Sequence, residues 1–575
     1  MHLSHTDIAI VLGYFVISLV LGLYFTKRAS SSTEEFFLSG RRLPWWLAGT
    51  SMVATTFSSD TPLYITALIR SNGVYENWQW WCFLMTGMLS VTVFAKLWKR
   101  AGVMTDVELT EMRYSGKSAS FLRGFKAIYF SMFLHTIIKA QIILAMVKIL
   151  DAGLGWDKWT AIFISSGVTI FYSLFAGYWG VIITDFFQFI LAMVGSVILA
   201  VITVNKVGGL SALTSKVSAI GGGNHYLDFF PSFETGLLGI PVLTFAAYMG
   251  LSWWAKYSSD GGGVVVQRMA SCKSEKDAVG ATFFFNVANY ALRSWPWILA
   301  ALASLILYPN AKDNESVYPI MAVELLPNGL RGLMFASFFA AFMSSIATYL
   351  NLSSAYFMKD FYMRFIAPKA TERHYLAATR VSIVLLSLLT AVVTYFSESI
   401  VGTFKFLVAF GSGTGLVFLM RWYWWRVNPW SEISAMLAST IVSAVIFINY
   451  PQAPYFGKLF FIIFISTAVW VIVTLVTRPS DEGKLIEFYK RVWAGGIGWR
   501  AIEKKLPASS VRASTYRSPI WEWLTGTAFV YALTLSVGML LLQRLTEGII
   551  YAVLGLASGI LLYRGLTGSG KGIDN

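Results

Sequence analysis

Charged side chains are scarce in this chain of 575 residues: Asp, Glu, Lys and Arg make up 13%, about half of the ~25% that is usual in soluble domains. Hydrophobic residues make up 56% and aromatic residues 16%, and the mean hydropathy is +0.61. A soluble protein could not bury this much apolar sequence, and an intrinsically disordered chain would contain far less of it. The composition therefore predicts a polytopic membrane protein, whose outer surface faces lipid.

Cysteine and histidine are also scarce, with two and five residues. Cys82 lies in an apolar segment and Cys272 in a polar loop, which argues against a structural disulfide. The histidines are scattered, and His135 alone lies in an apolar stretch, so the residue cluster of a membrane-embedded enzyme is not evident. No phosphate-binding glycine loop accompanies a Lys-Ser or Lys-Thr pair, which disfavours a nucleotide-driven pump.

Positive charge is in excess, with 45 Lys and Arg against 30 Asp and Glu. These basic residues lie in alternate loops between apolar stretches and do not form the face of a soluble domain, so we expect no nucleic-acid partner. Membrane proteins keep Lys and Arg in cytoplasmic loops. The alternation therefore predicts an integral protein of the cell (inner) membrane with its N-terminus outside and its C-terminus in the cytoplasm.

Stretches of the ~20 apolar residues that a membrane helix needs occur about 15 times. They predict an all-α membrane protein with five regions. These are an N-terminal helix and cytoplasmic loop (1–44), a transport core (45–430), core-flanking helices (431–477), a basic cytoplasmic connector (478–519) and C-terminal helices with a tail (520–575). The connector could bind anionic lipid, but a solvated connector is the favoured interpretation.

Two predicted membrane helices contain helix-breaking residues. The second apolar stretch turns polar at 58–62, which reads Ser-Ser-Asp-Thr-Pro, and the seventh ends in Ser-Ser-Asp at 258–260, followed by three glycines. Proline cannot donate to the helix ladder, and Ser, Thr and Asp compete for backbone hydrogen bonds. Broken helices five spans apart are typical of inverted-repeat transporters, although a kink or the start of a loop would also explain the seventh stretch.

Polar residues on two further spans indicate a cation site. Ser344, Ser345 and Thr348 share one helical face by their spacing of three and four residues. Such a stripe also serves helix packing, but beside a broken helix it indicates oxygen ligands for a monovalent cation. Asp185, near the start of the sixth span, is interpreted as a cation ligand or proton relay, with a helix cap as the alternative.

Together these residues resemble the sodium:solute symporter family. The resemblance is carried by 35–62, which includes Glu-Phe-Phe-Leu-Ser-Gly-Arg-Arg-Leu-Pro at 35–44, and by the Ser344-Ser345 pair; segments 105–113, 184–188 and 267–273 support it. It reaches from the first helix to about residue 430. The resemblance implies a core of two inverted five-helix repeats, of the leucine-transporter type, with extra N- and C-terminal helices.

The resemblance also implies where sodium, the expected co-transported ion, would bind. In the family, backbone carbonyls of two helices and two serine hydroxyls hold one sodium. By motif, these ligands correspond here to Ala54, Phe57, Ala341, Ser344 and Ser345. Some members hold a second cation with the aspartate of the sixth span and two hydroxyls. Here Asp185 and Thr348 are present, but Ala347 replaces one hydroxyl, so we expect one sodium per cycle.

The solute side of the pattern departs from the sugar transporters of the family. These carry an Asn-Gln pair where this chain has Gly262-Gly263. The candidate solute-binding residues are polar residues of the first break, two tryptophans and two intramembrane cations: Thr56, Ser58, Asp60, Thr61, Trp78, Trp80, Lys139 and Arg293. Either cation could meet a solute carboxylate or pair with Asp60; snorkelling or an internal ion pair is the alternative.

The favoured hypothesis is a sodium-coupled secondary active symporter, not an enzyme, that imports a small polar solute by alternating access. The solute would be a sugar, an amino acid or a carboxylate, and the surrounding partner is membrane lipid. A proton-coupled or uncoupled transporter of the same fold is the alternative, and a membrane-embedded enzyme is the less favoured one. The sequence leaves the oligomeric state open.

Overall fold

The computed structural model describes residues 3–29, 41–103, 105–175, 178–220, 225–233, 236, 239–492, 496–507 and 517–568. Within these ranges the chain is helical, and the extended pairing that occurs is a single bridge between Leu43 and Cys272. The part of the family motif at 35–40 and the connector segment 508–516 lie outside the described residues. The predicted all-α fold class is confirmed.

The first half of the chain contains α1 (His5–Ala29), α2 (Trp45–Thr56), α3 (Asp60–Asn72), α4 (Val74–Ala101), α5 (Gly116–Leu154), α6 (Lys158–Phe175), α7 (Tyr178–Val207) and α8 (Leu210–Ser218). The second half begins with α9 (Ile240–Ser252), α10 (Val264–Ser271), α11 (Glu275–Leu307), α12 (Val317–Leu325) and α13 (Leu330–Ile366). It continues with α14 (Glu372–Phe396), α15 (Ile400–Tyr423), α16 (Pro429–Asn449), α17 (Tyr455–Val476), α18 (Glu482–Val492), α19 (Arg517–Leu541) and α20 (Leu545–Gly568).

Eleven helices of the described chain are long and apolar enough to cross a membrane, and two shorter apolar helices accompany them. The predicted number of about 15 spans is therefore not confirmed. One physical reason is the first helix break. It leaves α2 with 12 residues and α3 with 13, and neither half alone reaches the ~20 residues of a full span.

The helix α2 lies in the interior of the bundle. It contacts α7, α10, α11 and α13, and its residues from Ala48 to Thr55 are buried. The helices α14 and α20 lie at the periphery and expose large apolar side chains, among them Leu385 and Leu556. Apolar residues exposed on this scale suit a surface that faces lipid. The broken helix is thus held at the centre by four neighbours.

Part of the connector packs against the bundle, which corrects the expectation of a solvated segment. Phe488 and Trp499 are buried. Their rings lie 5.3 and 4.9 Å from the guanidinium carbon of buried Arg113. That arginine also donates to the carbonyl of Arg421 at 2.8 Å. Apolar residues in the basic connector therefore anchor it to the end of α15.

Candidate functional site

The first helix break lies at residues 57–59, between α2 and α3. The helix α2 ends at Thr56, and Phe57 leaves the helical conformation with φ −94° and ψ 87°. Pro62 falls in the first turn of α3, where its missing N–H breaks no helical hydrogen bond. The break therefore precedes the proline and begins one residue before the predicted segment 58–62.

Groups from outside α2 meet carbonyl oxygens of its last turn, which lack the regular N–H partners of a continuing helix. The hydroxyl of Ser345 on α13 donates to the Thr55 carbonyl at 2.9 Å. Arg293 on α11 donates from Nη1 to the Val53 carbonyl at 3.0 Å. Ser345 of α13 thus contacts the C-terminal end of α2, while the hydroxyl of its neighbour Ser344 donates to Asp185 on α7.

The five predicted sodium ligands are all buried: Ala54, Phe57, Ala341, Ser344 and Ser345. Two belong to the end of α2 and three to α13. They offer backbone and hydroxyl oxygens, which hard cations prefer, and they carry no formal charge. The Ala54 carbonyl accepts a 3.1 Å hydrogen bond from the Phe57 amide, so an ion there would share this oxygen with the backbone.

Asp185 on α7 lies next to this group and is fully buried. Its carboxylate accepts hydrogen bonds from Ser344 at 2.5 Å and from Ser51 at 2.6 Å. Arg268 on α10 lies with Nη2 3.7 Å from Asp185 Oδ2, and it donates to the Thr348 hydroxyl at 3.1 Å. The two side chains predicted for a second cation, Asp185 and Thr348, therefore already share a guanidinium.

The second helix break lies at residues 253–263, between α9 and α10. Its Asp260 does not repeat the role of Asp60, although both close a Ser-Ser-Asp tripeptide. Asp260 Oδ2 accepts from Arg421 Nη2 at 2.5 Å and from Trp422 Nε1 at 2.7 Å, within a buried ion pair. Gly263, with φ +77°, donates its amide to Asp106 at 3.0 Å. Asp260 is thus committed to α15 and is not available to a solute.

A cavity of about 320 Å³ lies between the two breaks. Of the eight candidate solute-binding residues, six line it: Thr56, Ser58, Asp60, Thr61, Trp80 and Arg293. The other two do not. Trp78 donates its indole N–H to the Phe229 carbonyl at 2.6 Å, and Lys139 lines a separate small cavity.

The polar wall of the large cavity contains atoms with no hydrogen-bond partner among the described residues. These include Gln141 Oε1, Asn286 Oδ1 and Arg293 Nε. Gln141 donates its Nε2 to Asp60 Oδ2 at 2.5 Å, which fixes its amide oxygen as a free acceptor. Buried polar atoms are normally satisfied, so such a set indicates a polar ligand.

Sequence reasoning missed much of this wall, which also includes Gln141, Lys256, Asn286, Asn289 and Tyr290. A signal for three of them was present. Gln141 lies in the apolar stretch of α5, and the two asparagines lie three residues apart in that of α11. Amides inside a membrane span are functional candidates by default. Three amide side chains therefore line the cavity from α5 and α11, although Gly262 and Gly263 supply none.

Comparison with known proteins gives the family. The family model described as sodium:solute symporter family matches residues 36–441. Similar relatives include sodium/glucose cotransporter 1 of Oryctolagus cuniculus, 27% identical and covering 85% of this chain and 81% of its own. Another is the sodium/glucose cotransporter of Vibrio parahaemolyticus, which is 23% identical over a region that covers 84% of this chain and 92% of that protein.

A similar fold occurs in a solved structure, the substrate-bound outward-open state of a Na⁺-coupled sialic acid symporter. It has a TM-score of 0.66 and 21% identity, and it covers 83% of this chain and 99% of its own. This similarity shows the fold, and the family match shows the class of transport. The chain belongs to the sodium:solute symporter family and is an integral membrane protein that couples sodium to the transport of a small solute.

Proposed function

We propose that this symporter imports a small hydroxyl-bearing solute together with one sodium ion per cycle, with the solute in the 320 Å³ cavity. The observation that carries the proposal is the set of unpartnered polar atoms on the cavity wall. Two of them, on Gln141 and Asn286, are acceptors only. They call for hydrogen-bond donors on the solute, which hydroxyl groups supply.

The proposed sodium ligands are the carbonyls of Ala54, Phe57 and Ala341 and the hydroxyls of Ser344 and Ser345. The 2.9 Å contact between Ser345 and Thr55 supports this site, because it joins α13 to the end of α2. Bound sodium would replace that hydrogen bond with shared coordination of both helices. It would then favour one carrier conformation by its differential affinity for it.

A single sodium per cycle is supported by the surroundings of Asp185. A second cation would have to displace Arg268 from Thr348 and from the neighbourhood of the carboxylate. A second cation beside the Arg268 guanidinium would be repelled by its positive charge. A buried cation without an anion of its own is also unfavourable. Ala347 also removes one hydroxyl from the second site. We therefore assign Asp185 a structural or modulatory role.

A sugar fits the remaining cavity wall. Trp80 and Tyr290 both line the cavity, and their rings are stacked with centroids 5.6 Å apart at an angle of 19°. A flat aromatic pair beside amide and carboxylate acceptors suits a ring with hydroxyls on its edge and C–H groups on its face. The relatives named as sodium/glucose cotransporters point to the same class.

A hydroxylated carboxylate, such as a sugar acid, is the second candidate. The cavity is lined by two cationic side chains, Lys256 and Arg293, and by one carboxylate, Asp60. This balance favours a solute with one negative charge. Arg293 Nε, which has no partner among the described residues, would be the donor closest to such a group.

Uptake into proteoliposomes separates the two candidates. Radiolabelled glucose, galactose, glucuronate and gluconate would be offered with an inward sodium gradient and with an equal potassium gradient. A sugar transporter accumulates the neutral pair only with sodium. Gln141→Leu, which keeps the side-chain size, should raise the solute concentration for half-maximal uptake, whereas Gln452→Leu, in the loop after α16, should not. Uptake that is equal in sodium and potassium for every solute would refute the proposal.

The location and topology complete the proposal. We place the protein in the cell (inner) membrane with the N-terminus outside and the C-terminus in the cytoplasm. The support is the alternation of Lys and Arg between loops. The transport core would occupy 45–430, and the peripheral pairs α16–α17 and α19–α20 would be additions to it. In the second of these pairs, α19 contacts α4 and α11 and so packs directly against the core.

A further inference from the structure

The N-terminal helix α1 lies before the proposed transport core, yet it contacts two helices of that core, α7 and α13. These two helices meet in the hydrogen bond that Ser344 on α13 donates to Asp185 on α7. The two hydroxyls of the proposed sodium site, on Ser344 and Ser345, also belong to α13. A helix that fixes α13 against α7 therefore fixes the position of these oxygens as well.

The first contact of α1 is a cap on α13. This helix begins at Leu330, and Gly329 before it has no side chain that could cap the free amides of the first turn. Asp7, in the first turn of α1, supplies the cap instead. Its buried carboxylate accepts the amides of Gly329 and Gly332 on Oδ1, each at 2.7 Å. A carboxylate is favourable at a helix N-terminus, because it satisfies free N–H groups and complements the helix dipole.

Close packing accompanies this cap. A Cβ at Gly332 would lie 2.5 Å from the Asp7 Cα and 2.7 Å from the Asp7 carbonyl oxygen. The backbones of α1 and α13 therefore meet at a distance that only glycine permits. Further along the two helices, the rings of Phe15 and Phe339 pack edge to face with centroids 5.0 Å apart. The first turn of α13 is thus seated directly on α1.

The second contact is made by Tyr14, whose hydroxyl lies between α7 and α13. It accepts a hydrogen bond from Gln188 Nε2 on α7 at 2.9 Å and donates to Met343 Sδ on α13 at 3.6 Å. Gln188 follows Asp185 by three residues, on the same helix face, and Met343 directly precedes Ser344. The Gln188 Oε1 has no partner among the described residues, so this amide is held there through Tyr14. The hydroxyl of Tyr14 therefore joins the two helices beside the contact of Ser344 with Asp185.

We propose that α1 positions the sodium site, with Asp7 and Tyr14 as its positioning residues. Asp7 fixes the first turn of α13, and Tyr14 holds α13 against α7 where the serine hydroxyls lie. Neither side chain is a proposed ligand. Both would raise sodium affinity, because ligands that are already held in place lose less conformational freedom when the ion binds. This role rests on the proposed sodium site, so the experiment includes a variant of a ligand, Ser345→Ala.

Equilibrium binding of radioactive sodium to the purified full-length protein, with thermal unfolding of the same samples, tests the proposal. Tyr14→Phe removes one hydroxyl and keeps the ring, and Asp7→Ala removes the cap. We expect a several-fold higher sodium dissociation constant in each, with an unchanged number of bound ions per chain. Loss of folded protein would instead lower the number of bound ions. Should Asp7→Ala fail to fold, Tyr14→Phe decides the question.

Two control variants remove similar interactions elsewhere. Tyr129→Phe removes a buried hydroxyl that lies 3.1 Å from the Thr440 hydroxyl, between α5 and α16. Thr371→Ala removes the cap of α14, where the threonine hydroxyl accepts the His374 amide at 3.3 Å. Neither α14 nor α16 carries a proposed sodium ligand. Both variants should bind sodium like the wild type.

Weaker sodium binding in Tyr14→Phe, with both controls at the wild-type affinity, supports the proposal. A lower Tm with unchanged sodium affinity would mean that α1 only stabilises the fold, and it would overturn the proposal. Unchanged affinity in Tyr14→Phe while Ser345→Ala binds more weakly would refute the positioning role and leave the sodium site standing. Unchanged affinity in both would mean that the sodium ligands lie elsewhere, and it would overturn both proposals.

Discussion

Removing the hydroxyl of Ser345 should weaken sodium binding without affecting the solute cavity. The side chain is fully buried and does not line that cavity. Its hydroxyl lies 2.9 Å from the Thr55 carbonyl, at the point where α13 meets the end of α2. In Ser345→Ala the ion loses one oxygen ligand. A lost polar contact of this kind costs about 1–2 kcal/mol.

This cost corresponds to a roughly 5- to 30-fold rise in the sodium concentration for half-maximal uptake. The assay is solute uptake into proteoliposomes at saturating solute and increasing sodium concentration. Each variant is reconstituted from the same amount of purified protein. The maximal uptake rate at saturating sodium should change by a smaller factor than the sodium concentration for half-maximal uptake, because the solute contacts are unchanged. Ser344→Ala should behave similarly, although its loss also removes a hydrogen bond to Asp185.

Ser353→Ala is the matched control, because Ser353 lies on the same helix about two turns further on. Its hydroxyl donates to the Tyr349 carbonyl of its own helix at 2.6 Å, and it is equally buried. Its sodium dependence should match the wild type. If Ser344→Ala and Ser345→Ala both kept the wild-type sodium dependence, the ligand assignment would be wrong.

Three further predictions concern stoichiometry, the cavity and topology. Asp185→Asn should lower transport while sodium dependence stays hyperbolic, since we propose that no second sodium binds beside Arg268; a wild-type Hill coefficient well above one would contradict this. Gly87→Ala should lower solute uptake, because a Cβ there would lie 1.8 Å from Asn286 Oδ1 and must displace that amide, whereas Gly457→Ala, whose Cβ would meet no described neighbour within 4 Å, should be neutral. Reporter fusions should place the N-terminus outside and the C-terminus inside, and ends on the same side would refute the topology.

Local sequence signals predicted the first helix break well, whereas the second begins at residue 253, five residues before its Ser-Ser-Asp signal. Hydroxyl residues and Asp60 before Pro62 marked the first break to within a residue at its start, because such residues weaken the helix ladder wherever they occur. The proline itself was a poorer guide to the position of the break. It lies in the first turn of α3, where it is compatible with a helix. Local chemistry thus located the break, and helix geometry decided on which side of the proline it fell.

The contacts made across the bundle could not be predicted in the same way. Arg268 meets Asp185 and Thr348 although each is about 80 residues away, and no local pattern indicates which helix faces which. The two Ser-Ser-Asp tripeptides likewise do not indicate which residues their aspartates contact. Asp60 bonds to Gln141 at the cavity, while Asp260 is buried against Arg421. Identical short sequences acquire different roles from the helices packed against them.

The most direct test of the account is equilibrium binding of radioactive sodium to the purified protein, because it requires no knowledge of the solute. The wild type should bind close to one sodium per chain in a saturable manner, and lithium or excess unlabelled sodium should compete. The double variant Ser344→Ala, Ser345→Ala should lose this binding at the same sodium concentration, while Ser353→Ala should retain it. Saturable binding of undiminished affinity in the double variant would contradict the proposed site between α2 and α13.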